Sequence, residues 1–238
     1  MPGVVKPPWV SKKDFYRTSF NYCDRWCEKC QLTEICRVFQ SEQKSREKFI
    51  RQGKNPDSLG CGLEIIKENF KKIRKLLEKD ALRLGIDLSK IKNSNCQSLP
   101  EPQRLPLYKL VNRFSGKLKG LLQKLEVVPI EANEKLILEN IEIISYYRLL
   151  IPAKIYRAFA SKLEEEKDED NQVFDSKTSA FISLNGLVSI SSSLLALASH
   201  QPLDLFRGNL AHLGKVSLDL AKTIDLEFDL NQVESFSL

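Results

Sequence analysis

The chain is short of histidine, glycine, proline and methionine. Two histidines in 238 residues do not make a histidine-rich metal site. Neither follows a glutamate by three residues, so the paired Glu-x-x-His of di-iron bundles is missing. There is no P-loop, no G-x-G-x-x-G, no G-x-S-x-G and no H-E-x-x-H, so nucleotide cradling, serine-hydrolase and zinc-hydrolase chemistry lack their usual residues. Glycine and proline number ten each, which disfavours a turn-rich β fold, and no stretch alternates at period two. No internal repeat is found. No apolar run follows a basic start at the N-terminus, so a signal peptide is not expected and a cytoplasmic location is. Six cysteines are too few for a disulfide-dense secreted scaffold.

Leu, Lys and Glu dominate instead, and 42% hydrophobic with 29% charged residues is the balance of a globular chain with a core. The net charge of +6 is uneven. Arg37 to Arg113 is basic, whereas the chain from Glu164 onward is acidic on balance. The basic half either attracts the acidic half or faces an anionic partner.

Helical periodicity organises the rest. Residues 41–52 suit a polar helix closed by Gly53, with a turn at Asn55-Pro56-Asp57-Ser58. Leu63, Ile66, Phe70, Ile73 and Leu77 form one apolar stripe, with Lys67, Lys71, Lys75 and Lys79 on another face, and Gly85 suits the helix end. A third helix, about 107–127, carries Leu107, Leu110, Phe114, Leu118, Leu121 and Leu125. Gly116 and Gly120 inside it suggest a close backbone approach. Pro152 kinks or splits the next helix, about 133–167. Residues 174–200 form a helix free of charge after Lys177, long enough to cross a membrane. Its asparagine, glycine and serines point instead to a buried central helix, with no membrane involved. A last helix covers about 203–224. The expected fold is all-α, a bundle of five to seven helices over residues 41–224, with a cysteine-rich arm at 1–40 and an extended tail at 225–238.

The chemistry concentrates in the arm. Cys23, Cys27, Cys30 and Cys36 read C-x3-C-x2-C-x5-C. Four thiolates close a coordination sphere around Zn2+ or a 4Fe-4S iron–sulfur cluster, and short spacings let one loop wrap the site at little entropic cost. Phe15, Tyr16, Phe20, Tyr22 and Trp26 are placed to shield the sulfurs, and Arg25, Lys29 and Arg37 to offset their charge. The competing reading is of reduced, unliganded cysteines packed as small hydrophobes. Only Cys27 and Cys30 form a C-x2-C pair, which separates this loop from the paired knuckles of structural zinc.

The Cys27–Cys36 portion resembles the end of the cluster loop of endonuclease III-type DNA glycosylases. That loop is longer between its first two cysteines, and no helix-hairpin-helix accompanies it here, so the resemblance implies a cluster and not the glycosylase activity. The opening C-x3-C-x2-C resembles the radical-SAM motif, but a fourth cysteine and a helical body depart from that family. The whole chain resembles uncharacterised bacterial helical proteins with an N-terminal four-cysteine segment, which implies the fold and the site.

Other residues admit milder readings. Cys61 and Cys96 are ordinary thiols or substitute ligands. His200 and His212 are core or surface histidines, and His212 has a functional alternative at the edge of an apolar stripe. Glu139 and Glu142 share a helix face. Lys154 and Arg157 bind an anion or pair with acidic neighbours. The lysine face from Lys67 to Arg83 is solvated or meets nucleic-acid phosphates. Three functions follow. The first is a metal-binding protein whose centre is structural, electron-transferring or sensing. The second is an interaction module for a protein or nucleic acid, with the metal as staple. The third is a redox enzyme with a polar pocket near the cysteines.

Overall fold

The structure, a computed structural model, describes residues 5–88, 101–129, 135–165 and 173–232. Among them are seven α-helices and no strand, so the fold is all-α. The chain forms two compact units, one made of Met1–Leu32 with Pro100–Leu238 and the other of Thr33–Leu99. The expected boundary at residue 40 falls inside a helix of the second unit, and the one at 224 inside the last helix of the first.

The first unit contains α1 (Lys12–Thr18), α4 (Pro106–Leu125), α5 (Lys135–Glu165), α6 (Val173–Ala198) and α7 (Arg207–Phe228). The helix α6 is central and packs on α5 and α7. Its Leu184, Leu187, Ile190, Leu194 and Leu197 are wholly buried among Ile144, Ile155, Leu210 and Ile224. Its stretch Asp175–Ala198 is long and apolar enough to cross a membrane, yet 67% of the most apolar window is buried inside the bundle.

Serine makes this close packing possible. Ser176 of α6 donates its hydroxyl to Ala158 O of α5 at 3.0 Å, and Ser191 to Gly214 O of α7 at 2.9 Å. Ser217 of α7 returns a bond to Leu187 O at 2.8 Å. Each is a hydroxyl small enough to let two backbones meet and polar enough to need a partner once buried, worth about 1 kcal/mol net. Close approach centres on Gly186, where an added Cβ would lie 2.7 Å from Tyr147 Cδ1, and on Gly214. Gly116 and Gly120 do not mark such an approach, since an added Cβ meets nothing within 4 Å at either. In α4 the buried stripe is Leu107, Val111, Phe114, Leu118, Leu121, Leu122 and Leu125, while Leu110 is exposed. The place in the stripe expected for Leu110 is thus taken by Val111, one residue along.

The helix α5 runs through Pro152 without a break. Proline has no N–H for the carbonyl four residues back, Arg148 O. Ser115 of α4 supplies that bond from its hydroxyl at 2.9 Å. The last helix starts after a 3-10 segment at Gln201–Phe206 and continues past residue 224 to Phe228. Left-handed Asp229 (φ 48°) ends it, with Leu230 N bonded to Asp225 O at 3.1 Å.

The second unit is a hairpin of α2 (Arg37–Arg51) and α3 (Leu59–Arg83). Gly53 is left-handed, Lys54 N closes on Phe49 O at 3.0 Å, and Ser58 caps α3 through Cys61 N. Phe49 and Cys61 are buried, a Lys48–Glu68 ion pair joins the two helices, and Arg46–Asp57 and Lys54–Glu64 tie each helix to the connecting loop. Gly85, also left-handed, ends α3, with Ile86 N on Ala81 O at 2.8 Å.

Ser115→Ala is expected to leave Arg148 O without its donor and to lower stability by about 1 kcal/mol in urea titration. In a Pro152→Ala background, which restores a backbone N–H, the same change should cost much less. Equal costs in both backgrounds would show that Ser115 does not stand in for the missing N–H.

Candidate metal centre

The cysteine loop lies between a short 3-10 turn at Ser19–Asn21 and the hydrogen-bonded turn at residues 31–35. Cys23 is half-buried, and its thiol donates to Phe20 O at 3.4 Å. Asp24 accepts Trp26 N–H on Oδ1 at 3.0 Å, an Asx turn that holds Arg25 between them at φ 68°. Cys27–Lys29 form one turn of 3-10 helix closed by Cys30 N on Cys27 O at 3.2 Å. Two residues on, Leu32 N–H donates to Cys30 Sγ at 3.4 Å. A backbone N–H aimed at sulfur stabilises thiolate charge and tunes a bound cluster.

The loop is docked onto α5 by residues that sequence reasoning passed over. Asp24 is buried, and its Oδ2 accepts the hydroxyl of Tyr147 at 2.5 Å. The Tyr146 hydroxyl donates to Asp24 O at 2.7 Å. Trp26 stacks on Tyr146 with ring centroids 4.2 Å apart and meets Tyr147 edge-on at 6.0 Å. Lys29 pairs with Glu142 of α5 at 3.0 Å, an exposed pair that contributes little. Ahead of the loop, Trp9 meets Phe181 of α6 edge-on at 5.4 Å. Val10, Phe15 and Tyr22 form a small buried cluster, with Leu32 packed against it.

The electrostatics agree with this placement. Burial first, then the charge of Asp24 and of Cys27, raises the Tyr146 hydroxyl far above its ordinary value. Burial and the bond to Asp24 do the same for Tyr147. Both tyrosines therefore stay protonated and keep donating. Lys154 of α5 is pulled below its ordinary value by burial, then by Arg157, with Cys23 opposing the shift. Arg157 itself pairs with Asp175 at 2.8 Å. Of the cations expected to offset thiolate charge, Arg25 is exposed, Lys29 is engaged by Glu142, and Arg37 is exposed at the start of α2 in the second unit.

Cys23, Cys27 and Cys30 therefore share one docked loop. Cys36 opens α2 in the second unit, where its side chain makes no capping hydrogen bond. Among the described residues, no three His, Cys, Asp or Glu side chains are gathered as a metal would hold them. Cys61 is buried in the α2–α3 hairpin, and Cys96 lies outside the described residues. His212 is exposed on α7 and His200 is half-buried. Glu142 is tied to Lys29, and Glu139 lies 3.7 Å from Lys135. Tyr16, one of the expected shielding aromatics, is exposed, whereas Phe15, Tyr22 and Trp26 are buried.

In comparison with known proteins, no family model, no curated protein and no solved structure matches the chain.

Tyr147→Phe removes the hydroxyl that the buried Asp24 carboxylate depends on. It is expected to cost about 1.5–3 kcal/mol in urea titration and to change the fluorescence of Trp26 as its contact with Tyr146 and Tyr147 relaxes. Unchanged stability and emission would show that the loop does not rest on this bond.

Proposed function

We propose that the protein is a metal-binding helical protein with one centre, ligated by Cys23, Cys27, Cys30 and Cys36, in a structural, electron-transfer or sensing role and not in catalysis. The donor set is four thiols, which suits either a 4Fe-4S cluster or Zn2+. The observation that carries the reading is the loop itself. Three of the thiols sit on a segment that Asp24 fastens to α5, with a backbone N–H already aimed at Cys30 Sγ. Cys36 joins the set on spacing alone. Thiol ligands must lose their protons to bind, and a metal commonly supplies the free energy that gathers them. The cysteine usage fits a reducing, cytoplasmic compartment.

The test is metal content of untagged protein purified without oxygen, with its absorption spectrum. The expected result is about four irons per chain with a broad visible band, or about one zinc and no colour. Cys30→Ser should lose stoichiometric metal, and Cys61→Ser, which alters a thiol outside the set, should keep it. Full metal content in Cys30→Ser sinks the assignment.

One observation favours a second reading, a redox enzyme. A half-open cleft of about 600 Å3 lies between α5 and α6, and Lys29 of the cysteine loop lines it together with Glu139, Asn140, Tyr147, Asn185 and Ser189. That volume is within the usual range for ligand pockets. Filling its mouth with Ser192→Trp should leave metal content intact. It should also slow reoxidation of the reduced centre by a small-molecule oxidant. An unchanged rate removes this reading.

A further inference from the structure

The α2–α3 hairpin leaves one helix face uncovered. Leu59, Leu63, Ile66, Phe70, Ile73 and Leu77 of α3 are each more than half exposed. Their spacing alternates four and three without a break, the a and d positions of a heptad repeat, over about 27 Å of helix at 1.5 Å per residue. A folded unit rarely leaves so continuous an apolar row uncovered by its own residues.

The charges beside this row say what fits it. All four acidic residues of α3 are engaged within the unit: Glu64 by Lys54, Glu68 by Lys48, Glu78 by Arg74 and Asp80 by Arg83. Among the described residues, Lys67, Lys71, Lys72, Lys75 and Lys79 make no ion pair. In the heptad, Lys67 and Arg74 occupy e, while Gly62, Asn69 and Leu76 occupy g. A second copy packed antiparallel would set Lys67 and Arg74 against the same two cations. Packed parallel, it would offer them only Gly62 and Asn69. Leu76 at g is exposed as well and widens the row on that side, but the six a and d residues keep the unbroken four-and-three spacing of a helix-pair seam.

We infer that α3 docks an acidic amphipathic helix of a partner protein, as a two-stranded coiled coil. The partner carries apolar a and d residues and glutamate or aspartate opposite Lys67 and Arg74. The inference is independent of the metal, since every residue of the proposed interface lies on α3 and none is a proposed ligand.

The probe is a synthetic peptide of about four heptads with Ile at a, Leu at d and Glu at e and g. A second peptide carries Lys at e and g. Titrated into the full chain, the Glu peptide should bind at least roughly tenfold tighter, weakening as salt rises. The double variant Lys67→Glu with Arg74→Glu should reverse the preference. Phe70→Glu should abolish binding while circular dichroism stays unchanged, since its side chain is already in water. Absence of binding, equal affinity for both peptides, or a preference that survives the charge reversal overturns the inference. So does a stable dimer of the free chain that Phe70→Glu dissociates. Retention on anionic vesicles that the Glu peptide does not displace overturns it as well.

Discussion

One buried carboxylate organises the N-terminal loop. Taking Asp24 out of water costs several kcal/mol unless every oxygen finds a donor. The Trp26 N–H and the Tyr147 hydroxyl supply them. Neither donor is interchangeable. The first requires the Asx turn, which in turn puts Arg25 into the left-handed region. The second requires a tyrosine ring wedged between α5 and α6, and that ring has room only because residue 186 is glycine. The chain Gly186, Tyr147, Asp24 thus runs from the central helix to the middle of the cysteine motif. Trp26 adds apolar area to the same contact by stacking on Tyr146.

The bundle beneath is held by apolar burial on α6 together with serines that bond across helices. This explains how a helix as apolar as α6 carries so many hydroxyls. Ser176 and Ser191 give hydrogen bonds to neighbouring backbones, and Ser217 gives one back. Ser115 does the same for the carbonyl that Pro152 leaves open. A proline in mid-helix is tolerated there because the neighbouring helix meets its cost.

Much of this was legible in the sequence where the signals are local. Gly53, Ser58 and Gly85 mark helix ends by their own backbone preferences, and the 3.6-residue period gave the helices. The thiol spacing picked out the loop. Signals that depend on distant partners were not legible. Asp24 and Tyr147 are 123 positions apart, and nothing local in either marks a partner. Gly116 and Gly186 look alike in sequence, but only the second faces a ring. In α4 the stripe is displaced from Leu110 to Val111 because periodicity defines a face only to within one residue. In α3 the stripe is plain in the sequence, but amphipathicity cannot tell a face that meets its own core from one that its own hairpin leaves uncovered.

In the proposed centre the docked loop is the scaffold and the thiols are the ligands. X-ray absorption at the metal edge of the purified protein tests that most directly, because it counts the atoms bound to the ion. Four sulfur neighbours, at about 2.3 Å if the metal is zinc, with no nitrogen or oxygen in the first sphere, is the predicted result for a zinc centre. For a cluster, sulfur and iron neighbours alone are predicted. Nitrogen or oxygen ligands in place of sulfur would contradict the four-cysteine centre.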